Sequence, residues 1–144
     1  VEHVRHHAEG NYFAPSWKKL GVAALFGALL VLPAVALAGR ALGGAYVAGL
    51  MGFYGAYEIL HRLEHTFAGI GPYGRWAREH HLHHHYVDPR TNHGVTSPIW
   101  DLVFGTYRKP RVISVPRKLC VPWLIDPATG GIRASHARMF VLKG

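Results

Sequence analysis

Residues 20–39 run for 20 positions without a charged side chain and are rich in Leu, Ala, Val and Gly. At a rise of about 1.5 Å per residue the run reaches about 30 Å, the thickness of a bilayer's hydrocarbon core. Arg40 interrupts, and residues 41–57 continue uncharged for another 17. Two such stretches joined at Gly39-Arg40 predict a transmembrane helical hairpin. Pro33 would kink a soluble helix but is tolerated in a span. The five glycines of the second stretch favour close helix packing in lipid. The alternative is a hairpin buried in a soluble core. It asks a chain of 144 residues to cover two wholly apolar helices, which a domain of that size can scarcely do.

A hairpin returns the chain to the side it left, and the charges agree with that topology. Of 16 Lys and Arg, three lie in residues 1–19, twelve lie beyond residue 60, and Arg40 stands alone at the turn. Fifteen therefore share one side, which the positive-inside rule makes cytoplasmic. The net charge of +8 beside 49% hydrophobic residues suits a membrane setting. It also suits nucleic acid, but no helix-turn-helix or aromatic stacking motif accompanies it, so no nucleic-acid partner is expected. The single Cys120 excludes an intramolecular disulfide and a CxxC zinc site. Val1 opens the chain inside what reads as a motif, with no Met and no signal-peptide pattern, so the chain is expected to be N-terminally incomplete.

On the cytoplasmic side lie three histidine clusters. The run 79–86, Glu-His-His-Leu-His-His-His-Tyr, contains His81, His84 and His85 at i, i+3 and i+4. That spacing puts three imidazoles within roughly a 100° arc of a helix. His80, His83 and His84 make the same pattern, and periodicity alone does not choose between the two registers. His3, His6 and His7 repeat it, and His61 and His65 stand at i, i+4. A purification tag or low-complexity tract would be one run at a terminus; this is three spaced clusters. They read as a metal site holding more than one ion. Neutral imidazole suits iron, zinc, copper and nickel alike. Ligand histidines need acceptors for their second ring nitrogen, and Glu2, Glu58, Glu64, Glu79 and Asp101 are the carboxylates near the clusters in sequence.

Coarsely, residues 1–10 read as the end of a helix, and 11–16 as a turn into Trp17-Lys18-Lys19 at a membrane surface. Residues 57–67 continue the second span as a helix carrying His61 and His65. Gly69-Ile70-Gly71-Pro72 breaks it, and 73–86 form the next helix, ended by Asp88-Pro89. A loop over 91–98 comes next, with Gly94 at a special backbone position. Residues 99–104 then make a short helix or turn closed by Gly105. Two regions are expected: a membrane domain over 1–107 and, over 108–144, an irregular basic tail with four prolines, lying over the domain or the lipid headgroups. The fold class is thus an all-α membrane protein, a transmembrane hairpin with a cytoplasmic His-rich helical cap.

The run 81–86, with Asn92-His93-Gly94-Val95-Thr96-Ser97-Pro98-Ile99-Trp100-Asp101 and Phe104-Gly105-Thr106-Tyr107, resembles the end of the fatty acid hydroxylase/sterol desaturase superfamily. Tyr57-Glu58 with His61-Arg62 and His65 is similar to that family's third histidine box. His3, His6 and His7, followed by Tyr12-Phe13-Ala14-Pro15, look like its second. The aromatic Tyr86 after the last two histidines selects the register of His81, His84 and His85. The resemblance implies a non-haem diiron oxygenase in the membrane, hydroxylating or desaturating a lipid with dioxygen. Its metal ligands here would be His3, His6, His7, His61, His65, His81, His84 and His85. Glu58, Asp101, His80 and His93 would be the groups around them. Zinc is able to replace the two irons in isolated protein. A membrane lipid would be the substrate, and a b-type cytochrome or a ferredoxin with its reductase would supply electrons. The location would be the bacterial inner membrane or the endoplasmic reticulum.

The family's first histidine box, an HxxxxH on an earlier membrane helix, is expected upstream of residue 1. His93 stands where the family often has an aromatic residue and reads as a packing substitute. His136 reads as a surface histidine. The Gly94–Asp101 loop looks closer to the acyl-hydroxylating branch than to sterol oxidases, and the Trp100-Asp101 and Phe104-Gly105-Thr106 elements speak against carotenoid hydroxylases. A membrane metal-binding or transport protein is the competing class. A transporter places polar ligands inside its spans, and both runs here lack His, Asp and Glu.

Overall fold

A computed structural model describes residues 2–9 and 12–144. Asn11, where the turn into the first span was expected to begin, lies outside the described residues. The chain is mostly helical: α1 (Glu2–Glu9), α2 (Ser16–Thr66), α3 (Gly71–Tyr86) and α4 (Ile99–Val103), followed by two short strands, β1 (Ile113–Pro116) and β2 (Phe140–Lys143). It divides into two compact units. One is Phe13–Ile59; the other joins the N-terminal residues through Tyr12 to Leu60–Gly144.

The first unit is an antiparallel pair of apolar helices. α2 is broken at Gly39, whose φ of 77° and ψ of 168° turn the chain back. Gly27 faces Val47 and Met51, Gly43 faces the backbone of Ala34, and Lys19 pairs with Glu58 near the open end. A Cβ on Gly43 would run into the Ala34 carbonyl, so the two backbones approach to a distance only glycine permits. Small residues at the contact are what helices use to pack in lipid. The large side chains point outward instead, with Leu32 76% and Leu37 89% exposed. The hairpin's large apolar side chains are thus left uncovered among the described residues. α2 is long and apolar enough to cross a membrane, and Pro33 sits within it without ending it.

The second unit is built on α3. Pro72 lies in its first turn, where the missing N–H has no intrahelical partner to lose. At the other end the Val87 and Asp88 amides both donate to the His83 carbonyl. One face of α3 delivers Leu82 and Tyr86 to a core of Ile113, Val115, Val121, Leu124 and Phe140. β1 and β2 pair in parallel, Ile113 opposite Phe140 through Pro116 opposite Lys143. The Tyr86 hydroxyl donates to the Leu119 carbonyl at 2.8 Å. One expectation is corrected here: the protein is not wholly helical. Residues 108–144 carry both strands and lie over α3. The alternation Ile113-Ser114-Val115 places both branched side chains on one face, and that face is worth burying only once Leu82 and the distant Phe140 meet it.

Candidate metal centre

α1, the last two turns of α2, and α3 each bring histidines to one place in the second unit. His6, His61, His65, His81 and His85 offer five ring nitrogens within 4.8 Å of one another, and His3, His7 and His84 form an adjoining group of three on the same criterion. Adjoining is literal: the His7 and His85 rings stack with centroids 4.0 Å apart, and His7 lies 4.8 Å from His84. All eight histidines expected to cluster do so, and no other described residue joins either group.

Individual nitrogens are aimed. His6 Nε2 lies 3.1 Å from His61 Nε2, His65 Nε2 lies 2.8 Å from His81 Nε2, and His3 Nε2 lies 3.1 Å from His7 Nε2. Two nitrogens that share an ion at about 2.0–2.1 Å stand about 3.0–3.4 Å apart. A single such pair could equally be an N–H···N hydrogen bond; five nitrogens in mutual reach cannot all be. The backbone sets two tautomers. His6 Nδ1–H donates to the Tyr12 carbonyl at 2.5 Å, and His84 Nδ1–H donates to the Thr91 carbonyl at 2.8 Å. A carbonyl only accepts, so in both rings Nε2 carries the lone pair a metal requires.

The donor set also fits a metal energetically. Both ring nitrogens of His85 are buried without a hydrogen-bond partner, and an unmet buried polar group costs about 1–3 kcal/mol. A bound ion would meet the lone pair on one of them, while the other nitrogen carries the proton. Burial, with the neighbouring imidazoles second, pushes His81 and His85 well below the usual imidazole range. The same causes lower His7 to about 4. Neutral rings are the ligating form. The cluster is thus able to hold a metal.

The groups expected around the ligands fall differently. Glu58 is engaged by Lys19 in the hairpin unit. Asp101 is buried and accepts from the His93 and Gly94 amides at 2.8 Å each, from the Thr106 hydroxyl at 2.7 Å, and from His80 Nε2 at 3.1 Å. Burial would raise its pKa, but those donors outweigh burial and hold it at about 2. A Cβ on Gly94 would strike the Ser97 carbonyl and come within 3.0 Å of Asp101 Oδ2; close approach, not an unusual φ, is what this position demands. Asp101 therefore closes the 92–107 loop. His80 faces it rather than either group, stacked between Trp76 at 5.0 Å and Tyr107 at 5.6 Å. His93 lies beside His84, rings 5.1 Å apart.

Glu64 is the carboxylate that approaches a clustered ring, with Oε2 3.6 Å from His81 Nδ1. Burial raises it to about 9, against the opposing pull of Arg78. Its place three residues after His61 and one before His65 was the available signal. Trp123 had none: its indole N–H donates to the His65 carbonyl at 3.1 Å from 58 residues away. His136, expected at the surface, is half-buried with its ring edge-on to Trp123 at 5.2 Å.

Against known proteins, residues 1–106 match the sequence model of a family described as fatty acid hydroxylase. The chain is 40% identical over 65 residues to a ceramide very long chain fatty acid hydroxylase of Saccharomyces cerevisiae, covering 45% of this chain and 16% of the relative. It is 33% identical over 92 residues to a dihydroceramide fatty acyl 2-hydroxylase of Arabidopsis thaliana, covering 64% and 33%. A ceramide very long chain fatty acid hydroxylase of Schizosaccharomyces pombe is 38% identical over 64 residues, covering 40% and 18%. The matched stretches span no more than a third of these relatives' lengths. No solved structure matches the chain.

Proposed function

The chain belongs to the fatty acid hydroxylase family, and from that premise we propose that it hydroxylates a C–H bond of a membrane lipid's fatty acyl chain with dioxygen. His3, His6, His7, His61, His65, His81, His84 and His85 would hold two iron ions, with zinc able to replace them in isolated protein. The observation that carries the reading is the division of these eight rings into adjoining groups of five and three, with the buried His85 ring held by no hydrogen bond. One ion cannot use eight imidazoles, and a closed structural zinc needs four donors.

The chemistry the bound irons supply is the two-electron activation of dioxygen, one oxygen atom entering the C–H bond and the other leaving as water. The protein's own part is positional. The Tyr12 and Thr91 carbonyls fix the tautomers of His6 and His84. Glu64, its carboxyl kept protonated by burial, packs 3.6 Å from His81 Nδ1 and lines that ring without a hydrogen bond to it. The electrons come from a b-type cytochrome or a ferredoxin with its reductase. The hairpin is the membrane span, with the histidine unit on the cytoplasmic side of a bacterial inner membrane or the endoplasmic reticulum. An acyl chain is favoured over a sterol because the matched relatives are named as acyl hydroxylases.

The test is a metal count. Full-length protein in nanodiscs is expected to hold about two iron or zinc ions per chain, mostly lost when His84 and His85 are both changed to Ala. Supplied with an acyl lipid, dioxygen and reductant, the iron-loaded protein then yields a hydroxylated chain. No stoichiometric metal, or equal metal in the double variant, would sink the oxygenase mechanism.

A further inference from the structure

α4 is a short helix turned inside out. Asp101 is its one buried residue, while Ile99, Trp100, Leu102, Val103 and the following Phe104 are each 61–73% exposed. A contiguous patch of five large apolar side chains is more than a surface facing water normally carries. The Trp100 and Phe104 rings lie near parallel at 5.9 Å and line an open groove of about 410 Å³ with His93, Asp101 and Thr106.

The charges next to the patch select its partner. Arg108, Lys109 and Arg111 are exposed, Arg117 and Lys118 come next, and no Asp or Glu occurs between residues 102 and 125. Arg108 Nη1 donates back to the Gly105 and Tyr107 carbonyls at 3.0 and 2.8 Å, which keeps its cation beside the end of α4. Trp and Phe on an apolar face, followed along the chain by cations with no intervening acid, is the composition of an interfacial membrane contact. The rings enter the boundary of headgroup and acyl chain, and the cations meet anionic lipid.

We infer that α4 and residues 108–111 form a second membrane contact, distinct from the hairpin, that seats Val103 and Phe104 in the interface of an anionic bilayer and opens the Trp100–Phe104 groove to lipid beside His93. The inference rests on the membrane setting proposed above and is independent of the metal chemistry.

Nitroxide accessibility in the full-length protein tests it. In a Cys120→Ser background, labels are placed at Val103→Cys or Phe104→Cys, at Leu29→Cys in the hairpin, and at Ala128→Cys on an exposed loop. The proteins are reconstituted in phosphatidylcholine vesicles with a minority of phosphatidylglycerol. Labels at 103 and 104 are expected to collide more with oxygen than with an aqueous nickel chelate, as at 29 and unlike 128. Changing Arg108, Lys109 and Arg111 to Gln should move them toward the aqueous ratio; no movement would overturn the role given to the cations. Aqueous ratios at 103 and 104 with a lipid ratio at 29 would overturn the second contact and leave the hairpin standing. Aqueous ratios at all three would overturn the membrane setting itself. Protection of 103 and 104 from both reagents would mean that protein covers the patch, and would overturn the inference too.

Discussion

His80 and His81 are adjacent in sequence and opposite in use. The helix turns them about 100° apart, so His81 enters the five-ring group while His80 meets Asp101 and packs between Trp76 and Tyr107. Replacement should separate them. His85→Ala, within the cluster, is expected to weaken metal retention by more than the roughly 10–100-fold that outer groups cost. His80→Ala should leave metal content unchanged and lower stability by about 2–3 kcal/mol, since it removes a buried ring and one donor to a buried carboxylate. Equilibrium dialysis and thermal melts on the two variants distinguish the roles. Equal metal loss in both would contradict this partition of the helix face.

At the scale of elements, the cover formed by residues 108–144 reaches α2 as well as α3. The last four carbonyls of a helix lack intrahelical partners, and the Trp123 indole satisfies that of His65 while its ring lies 4.4 Å from the Arg78 guanidinium. The segment beyond the family match therefore braces the helix ends that carry His65 and His81. Trp123→Phe keeps the packing and loses one hydrogen bond, an expected cost of about 1 kcal/mol. Trp123→Ala also loses the ring and should cost about 3–5 kcal/mol, with metal lost more readily on challenge with a chelator. Melts and chelator competition on both variants check this; a silent Trp123→Ala would show that the cover is not a brace.

For the molecule as a whole, the clustered imidazoles make stability depend on pH. His7 titrates at about 4 against an ordinary 6.5, and His81 and His85 are also depressed. Between about 4 and 6.5 the unfolded chain binds more protons than the folded one, so stability rises with pH through that window and is lost as pH falls. Metal-free protein is expected to melt at a lower temperature at pH 5 than at pH 7.5, and bound metal should raise both melting temperatures, more at pH 7.5 than at pH 5, because its ligands bind it only when deprotonated. Melts of the two forms at both pH values check it, and a metal-free melting temperature insensitive to pH would contradict neutral burial of the cluster.

The hairpin and the meeting of eight histidines were legible in the residues themselves. Both depend on local quantities: the length of an uncharged run against the reach of a helix, and the 3.6-residue period that puts i, i+3 and i+4 on one face. The loop around Asp101 was legible only as a motif, its hub unidentified. What tertiary structure alone decided is non-local. The five-and-three grouping, the pairing of His80 with Asp101, the approach of Glu64 to His81 and the bracing by Trp123 all join residues on different elements. So does the order of residues 108–144. A four-residue strand between prolines has too little apolar surface to declare itself until Leu82 and Phe140 close over it.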